Sequence, residues 1–324
     1  MNGAQRKTIR KILREKINDW LKSIDDVEVR ATARDNVIVT GGSICSLLMG
    51  DKVNDYDIYM RNIESTERVA RYYVDKFNEL NQSNIQPKIQ VGNFKNIKGH
   101  EERRVCVFVQ SSGAAGEGDD SSYEYYEMTD NVHGDRAEQF INDIGAGRHG
   151  DKLSDEEAEE SQLPKYRPVF LSQNAITLKN KVQFVIRFYG EPDEIHDNYD
   201  FVHACCSYDY ARDELDMPVE ALESMMSKTL YYRGSLYPIC SVFRARKFIE
   251  RGWKINAGEM LKMCWQISEI DLSDMYTLRE QLTGVDAAYM HQLIKLMDKH
   301  KEENANLEID SSYMVQLIDK VYNA

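Results

Sequence analysis

The segment from Val37 to Met60, VIVTGGSICSLLMGDKVNDYDIYM, constrains the fold more than any other part of the chain. It opens on Val37–Val39, three β-branched residues that favour a buried strand. Gly41–Ser43 follow at once and lead into apolar residues at helical spacing, which predicts a turn and a short helix. The segment closes on Asp55–Tyr59, where alternating residues predict a second strand. The expected order is therefore strand, glycine turn, helix and strand.

Asp55 and Asp57 fall on the same face of this second strand, because side chains alternate along a strand. Two carboxylates that close repel each other unless a cation lies between them, and Mg²⁺ is a usual cation for such a pair. Two metal ions held there could clamp the oxygens of a phosphoryl or nucleotidyl displacement. Gly41 and Gly42 let the backbone approach a phosphate, and Ser43 lies at a helix N-terminus that suits an anion. The alternative is a tight turn followed by an acidic edge strand.

The motifs Gly41-Gly42-Ser43, Leu47-Leu48-Met49-Gly50 and Asp55-Tyr56-Asp57-Ile58 occur in this order. They resemble the signature of the polymerase-beta-type nucleotidyltransferase superfamily, nearest to its tRNA CCA-adding and poly(A) polymerase branch. The resemblance implies an α/β (α+β) fold, with a small mixed-sheet catalytic domain and a C-terminal helical domain. It also implies an NTP substrate, two Mg²⁺ ions at the carboxylates, and β- and γ-phosphate binding by the glycine turn.

The same resemblance implies three further site residues. Enzymes of this superfamily commonly bring a third acid from a later strand, and Tyr199-Asp200-Phe201 looks like the Arg-Asp-Phe segment of CCA-adding enzymes, so Asp200 is expected at the metal site. The spacing of Arg244 and Lys247 places them on one helix face, as in a clamp for a triphosphate or RNA. Arg244–Phe248 also resembles the Arg-Ala-x-Arg-Phe helix of that branch, which adds weight to a role of these two residues in offsetting triphosphate charge. The alternatives are an acid in the first turn of a strand and a solvated basic helix face.

Charge and length suggest how the chain is divided. The 324 residues carry a formal net charge of −13, but residues 111–163 alone hold 15 acidic and three basic residues, so the remainder is close to balance and RNA is an admissible partner. We expect an N-terminal basic amphipathic helix in 1–35, a catalytic domain in 36–210 and a helical domain in 211–324. Within the second, 111–163 is read as an insertion or mobile lid, or simply a disordered loop.

Cysteine usage and hydropathy predict a cytoplasmic location. No run of about 18 apolar residues is present, so no membrane span is expected. The N-terminus has no apolar core of the signal-peptide type. The six cysteines include no CxxC pair, so neither a disulfide framework nor a structural zinc site is expected.

Periodicity predicts the remaining elements. Residues 6–24 form an amphipathic helix, for which a docking role is favoured over contact with an RNA backbone. Apolar runs at 105–109, 169–178 and 182–188 predict strands, the first of them central in the sheet. Residues 196–206, which include Asp200, are also strand-like. After about residue 210 the chain turns helical, and its last part is predicted to form amphipathic helices at 260–267, 273–282, 285–300 and 311–321.

These observations predict a Mg²⁺-dependent nucleotidyltransferase that moves a nucleoside monophosphate from an NTP to a hydroxyl. An RNA 3′ end is the first choice of acceptor. A protein or small-molecule hydroxyl is the second, and it includes a toxin or defence role. A non-catalytic scaffold that keeps the same fold is the alternative class.

Overall fold

The computed structural model describes residues 4–80, 86–95, 101–109, 164–272 and 310–322, with single residues at 274, 277, 278, 281, 297 and 300. The insertion predicted over 111–163 and the helices predicted over 273–300 lie wholly or almost wholly outside the described residues. In chain order the helices and strands are α1 (Arg6–Lys22), α2 (Val27–Asn36), β1 (Val37–Thr40), α3 (Gly42–Met49), β2 (Tyr56–Met60), α4 (Ile63–Leu80), β3 (Pro87–Lys95), β4 (Glu101–Val109), β5 (Pro168–Leu171), β6 (Ala175–Leu178), β7 (Val182–Val185), α5 (Pro192–His196), β8 (Ser207–Asp209), β9 (Glu214–Asp216), α6 (Val219–Ser227), β10 (Thr229–Leu230), α7 (Pro238–Glu250), β11 (Lys254–Ile255), α8 (Ala257–Ser268) and α9 (Ser311–Tyr322).

The central layer is a seven-stranded mixed sheet with the order β5-β6-β7-β2-β1-β8-β9. β2 and β7 run parallel, whereas the other neighbouring strands are antiparallel. β1 and β2 lie in the middle of the sheet, and their register places Thr40 opposite Asp57. The predicted α/β class, with a mixed sheet, is confirmed.

Helix α1 docks on this body of the protein through its apolar face. The Nε1–H group of Trp20 donates to the hydroxyl of Tyr73 on α4 at 2.7 Å. On its polar face, Arg14 pairs with Asp213 at 2.6 Å. The docking role predicted for this helix is confirmed. The fully buried residues of α1 are Ile9, Leu13, Ile17 and Trp20.

We expect Leu13→Ala to lower the free energy of unfolding by about 3 kcal/mol, because the truncation leaves a cavity between α1 and the core. Urea titration followed by circular dichroism measures the change. Leu261→Ala is the matched control, since Leu261 is 65% exposed and its truncation should cost less than about 0.5 kcal/mol. Equal losses in the two variants would contradict a buried position for α1.

Strands β3 and β4 form a separate two-stranded antiparallel sheet. Residues 105–109 were expected in the centre of the main sheet, and this prediction is wrong. The side chains of Val105, Cys106 and Val107 are buried because the hairpin packs against α4, which supplies the cover that a central strand would receive from its neighbours. The run predicted as one strand over 169–178 is likewise a hairpin of β5 and β6.

The segment that carries Asp200 is not a strand, which corrects a second prediction. Pro192 begins α5, and Glu191 and Glu194 form a reciprocal capping box that stabilises its first turn. A 3₁₀ turn follows at Val202–Ala204, and Asp200 lies between the two. The sheet resumes with β8 and ends with β9, so it continues past residue 210, where the sequence placed a domain boundary.

The described part of the chain after β9 is mainly helical. It contains α6, α7, α8 and α9, together with a two-stranded parallel sheet of β10 and β11. Buried residues of α6, α7 and α8 belong to the same hydrophobic cluster as α1 and the central strands. No helix in the described ranges is both long enough and apolar enough to cross a membrane.

Candidate active site

The glycine turn lies directly against a carboxylate of β2. β1 ends at Thr40, and Gly41 adopts φ +93° and ψ −156° before α3 begins. This backbone region is open essentially to glycine alone. A Cβ added at Gly41 would lie 2.9 Å from Oδ2 of Asp57 and 3.5 Å from the hydroxyl of Tyr199. The turn therefore presents bare backbone beside Asp57.

The N-terminus of α3 points out of this turn. The first N–H groups of an α-helix have no partner within the helix, and no side chain caps α3. Ser43, in the first turn, is only 3% exposed, and its Oγ makes no hydrogen bond. A buried hydroxyl without a partner is costly, which makes this end of α3 a candidate anion site with a hydroxyl donor.

Asp55 and Asp57 lie at the start of β2, where the strand reaches the surface. Asp55 is exposed immediately before the strand, whereas Asp57 is half-buried. Tyr59 follows two residues later, and its pKa is raised by burial and by the negative charges of Asp57 and Asp55. The two carboxylates thus make the surroundings of this buried hydroxyl electronegative.

The chemistry of these donors fits Mg²⁺, which is usually held by one or two carboxylates with substrate phosphates completing its coordination. The missing side chain at Gly41 leaves the backbone open beside Oδ2 of Asp57. Within the described ranges, no group of three or more His, Cys, Asp and Glu side chains is placed to hold a metal ion. Asp55 and Asp57 are the residues that would hold the metal, and oxygens of a substrate would complete its coordination.

A buried polar layer backs the glycine turn. Tyr199 donates its hydroxyl to the hydroxyl of Tyr59 at 3.1 Å. Thr40 donates to the carbonyl of Cys206 at 2.8 Å, and its Oγ1 lies 2.7 Å from Nε2 of His196. Sequence reasoning missed this layer, since Thr40 and His196 are 156 positions apart and no local pattern connects them.

Burial lowers the pKa of His196 and of His203 to about 4. In the unfolded chain each imidazole binds a proton near pH 6.5. Their contribution to stability is therefore complete above pH 6.5 and is lost as the pH falls from 6.5 towards 4, with a total of about 3 kcal/mol for each histidine.

We expect His203→Phe to reduce the loss of unfolding free energy between pH 7.5 and pH 5.0 by about 2 kcal/mol, because one of the two buried imidazoles is then absent. A phenylalanine ring suits this position, since His203 packs against the rings of Phe201, Phe248 and Trp253. Urea titrations of the variant and the parent protein at both pH values measure the difference. An unchanged loss in the variant would contradict a neutral, buried His203.

Asp200 is paired with an arginine of α7. Nη1 of Arg244 lies 2.6 Å from Oδ2 of Asp200, which is 7% exposed. The structure thus joins two of the residues predicted from sequence, but it places Asp200 in no metal-binding group with Asp55 and Asp57. Lys247 lies one turn after Arg244 and is half-buried.

The model of a known protein family matches residues 11–228, and its description is "Gabija anti-defense 2 family protein". The chain belongs to the Gabija anti-defense 2 family. The part of this family member that the model matches contains Gly41, Asp55, Asp57 and Asp200, and it ends before Arg244.

A protein of the same family from Bacillus phage SPbetaL7, named "Gabija anti-defense 2", is 20% identical over 129 residues. The match covers 39% of this chain and about a third, 32%, of that relative's length.

Among solved structures, this family member is weakly similar to two CCA-adding enzymes. The enzyme of Bacillus stearothermophilus in complex with CTP gives a TM-score of 0.34 at 10% identity, over 86% of this chain and 51% of that one. The enzyme of Thermotoga maritima, complexed with tRNA, gives a TM-score of 0.38 at 10% identity. This match covers 94% of this chain and 68% of that one.

Proposed function

We propose that this chain is a nucleotidyltransferase that counters the Gabija defence system by transferring a nucleoside monophosphate from an NTP to a hydroxyl. The observation that carries the proposal is the contact between the Gly41 turn and Asp57. There, bare backbone, the N-terminus of α3 and a carboxylate pair meet within one short segment. This combination suits a metal-bound triphosphate better than it suits a neutral ligand.

The acidic residues of the site bind the metal, and its N–H groups and basic residues bind the phosphates. Asp55 and Asp57 would hold Mg²⁺, which when bound would neutralise charge on the transferred phosphate and on the leaving oxygens. The N–H groups that follow Gly41, at Gly42 and Ser43, donate to the β- and γ-phosphates together with the Ser43 hydroxyl. Arg244 and Lys247 offset the rest of the triphosphate charge.

The reaction exchanges one bond at the α-phosphorus for another and releases one proton. The acceptor hydroxyl oxygen bonds to the α-phosphorus of the NTP, the bond from that phosphorus to the bridging oxygen of the β-phosphate breaks, and pyrophosphate leaves with that bonding pair. The hydroxyl proton passes to solvent. In such a transfer the protein supplies mainly position and charge, so its effect depends on how firmly the turn and the carboxylates are held.

For the acceptor, we propose a hydroxyl on a protein of the defence system that the family is named for. The basic residues of α1, which the sequence analysis offered as an RNA contact, are partly occupied within the chain. Arg14 pairs with Asp213, Lys11 lies 3.8 Å from Glu15, and Arg6 donates to the carbonyl of Leu215 at 2.6 Å. An RNA 3′ end, the first choice from the sequence, becomes the second candidate here, and it is one arm of the test.

The test offers the purified chain each of the four NTPs labelled at the α-phosphate, with Mg²⁺ and with one of two acceptors, purified Gabija proteins or total RNA. Buffer without an acceptor is the blank. We expect label on a Gabija protein, with none when the label is placed on the γ-phosphate. Label on RNA alone would replace the proposed acceptor but keep the chemistry. Label on neither acceptor would contradict the proposed transfer and favour a non-catalytic scaffold.

A further inference from the structure

The pair between Asp200 and Arg244 connects α7 to the segment that precedes β8. Its N–O distance of 2.6 Å is that of a charge-assisted hydrogen bond. The Asp200 side chain is 10% exposed and the Arg244 side chain is 21% exposed, so water screens the pair weakly. Removing either partner would leave the other charge largely buried.

The backbone around Asp200 is fixed on both sides. The carbonyl of Asp200 accepts from the N–H of Arg233 at 2.8 Å, and the N–H of Val202 donates to the carbonyl of Tyr231 at 3.1 Å. Between these bonds, Phe201 forms an isolated bridge with Tyr232. The position of Asp200 is therefore fixed by its backbone, whereas an arginine side chain without a partner populates many rotamers.

The Arg244 guanidinium lies near the candidate active site. Tyr199, the residue before its anchor Asp200, donates its hydroxyl to that of Tyr59 at 3.1 Å, and the Tyr199 hydroxyl lies 3.5 Å from the position of a Cβ added at Gly41. The anchored guanidinium therefore belongs to the surroundings of the glycine turn, and its five N–H donors allow it to keep one partner while it binds another.

We propose that Asp200 is a positioning residue, which holds the Arg244 guanidinium ready to bind the triphosphate of an NTP and does not ligate a metal. The proposal rests on the proposed function, because it assigns the nucleotide to the same site. An arginine already anchored loses less rotamer freedom on binding phosphate, so release from Asp200 should weaken nucleotide binding about tenfold.

The test is a calorimetric cycle with the non-transferable α,β-methylene analogues of the four NTPs in the presence of Mg²⁺. It compares the full chain with Asp200→Asn, Arg244→Ala and the double variant. We expect each single variant to lose about tenfold in affinity and the double variant to lose no more than Arg244→Ala alone. Asp197→Asn is the control, since Asp197 is 80% exposed and only 3.6 Å from Arg233, and it should bind as the parent protein does.

A Mn²⁺ titration of the same proteins separates positioning from metal ligation. We expect Asp200→Asn to keep the Mn²⁺ affinity of the parent, whereas Asp57→Asn should bind Mn²⁺ at least about tenfold more weakly. Weaker Mn²⁺ binding by Asp200→Asn, an unchanged nucleotide affinity, or additive losses in the double variant would each overturn the proposal. If Asp200→Asn does not fold, Asp200→Glu, with and without Arg244→Ala, carries the same cycle.

These readouts do not depend on turnover. If the losses of nucleotide affinity at Asp200 and Arg244 are not additive but no label is transferred, the positioning role is supported and the proposed function is contradicted. If label is transferred but the losses of affinity are additive, the proposed function is supported and the positioning role is contradicted. A parent protein that binds none of the four analogues would contradict both.

Discussion

Replacement of Asp57 by Asn should reduce nucleotidyl transfer at least about a thousandfold and leave the fold intact. The amide has nearly the same shape as the carboxylate but lacks the negative charge that holds a divalent cation, and loss of a group acting on the charge of the transition state commonly costs this much. Asp57 is half-buried beside Gly41, so water cannot easily supply the missing ligand. Initial rates of label transfer at saturating NTP measure the effect.

Asp75→Asn is the matched control for this variant. Asp75 is an exposed residue of α4, and the same change there should leave both the rate and the unfolding free energy unaltered. If Asp57→Asn keeps more than about a tenth of the parent rate, Asp57 is not a metal ligand of the reaction.

Gly41→Ala should lower the free energy of unfolding by about 3 kcal/mol and abolish transfer in whatever fraction remains folded. The backbone at Gly41 lies in a region that costs any other residue about 1–3 kcal/mol, and the added Cβ would meet Oδ2 of Asp57 at 2.9 Å. Relief of this contact requires movement of the carboxylate that is proposed to hold the metal. Urea titration and label transfer on the same preparation measure both effects.

Gly42→Ala and Gly258→Ala are the controls for this prediction, because a Cβ at either position meets no atom within 4 Å. Both should fold with the stability of the parent or slightly more, as expected for alanine at helical positions. Gly258→Ala should also keep the full transfer rate. A Gly41→Ala protein as stable as these controls would show that the turn is not strained.

The sequence predicted the arrangement around Gly41 because the determinants there are local. Val37–Val39, the glycines and the alternation around Asp57 each act within a few residues, and together they define the strand, turn, helix and strand that the structure contains. The buried face of α1 was predictable for the same reason, since helical spacing alone identifies it.

The errors arose where tertiary contacts decide the structure. Residues 105–109 are apolar enough for a central strand, but α4 covers them instead, and composition does not distinguish these two kinds of cover. The segment around Asp200 is rich in strand-forming residues, yet the capping box at Glu191 starts a helix and a 3₁₀ turn follows. The partner of Asp200 lies 44 residues away on α7, beyond the reach of any local pattern.

The most direct test of the account is a Mn²⁺ titration, followed by electron paramagnetic resonance in the presence of ATP, of the parent protein, Asp57→Asn and Asp75→Asn. If Asp55 and Asp57 hold a divalent cation beside the Gly41 turn, the parent and Asp75→Asn will bind Mn²⁺ equally, and Asp57→Asn will bind it at least about tenfold more weakly. Equal Mn²⁺ affinity in all three proteins would contradict a metal site at this carboxylate pair.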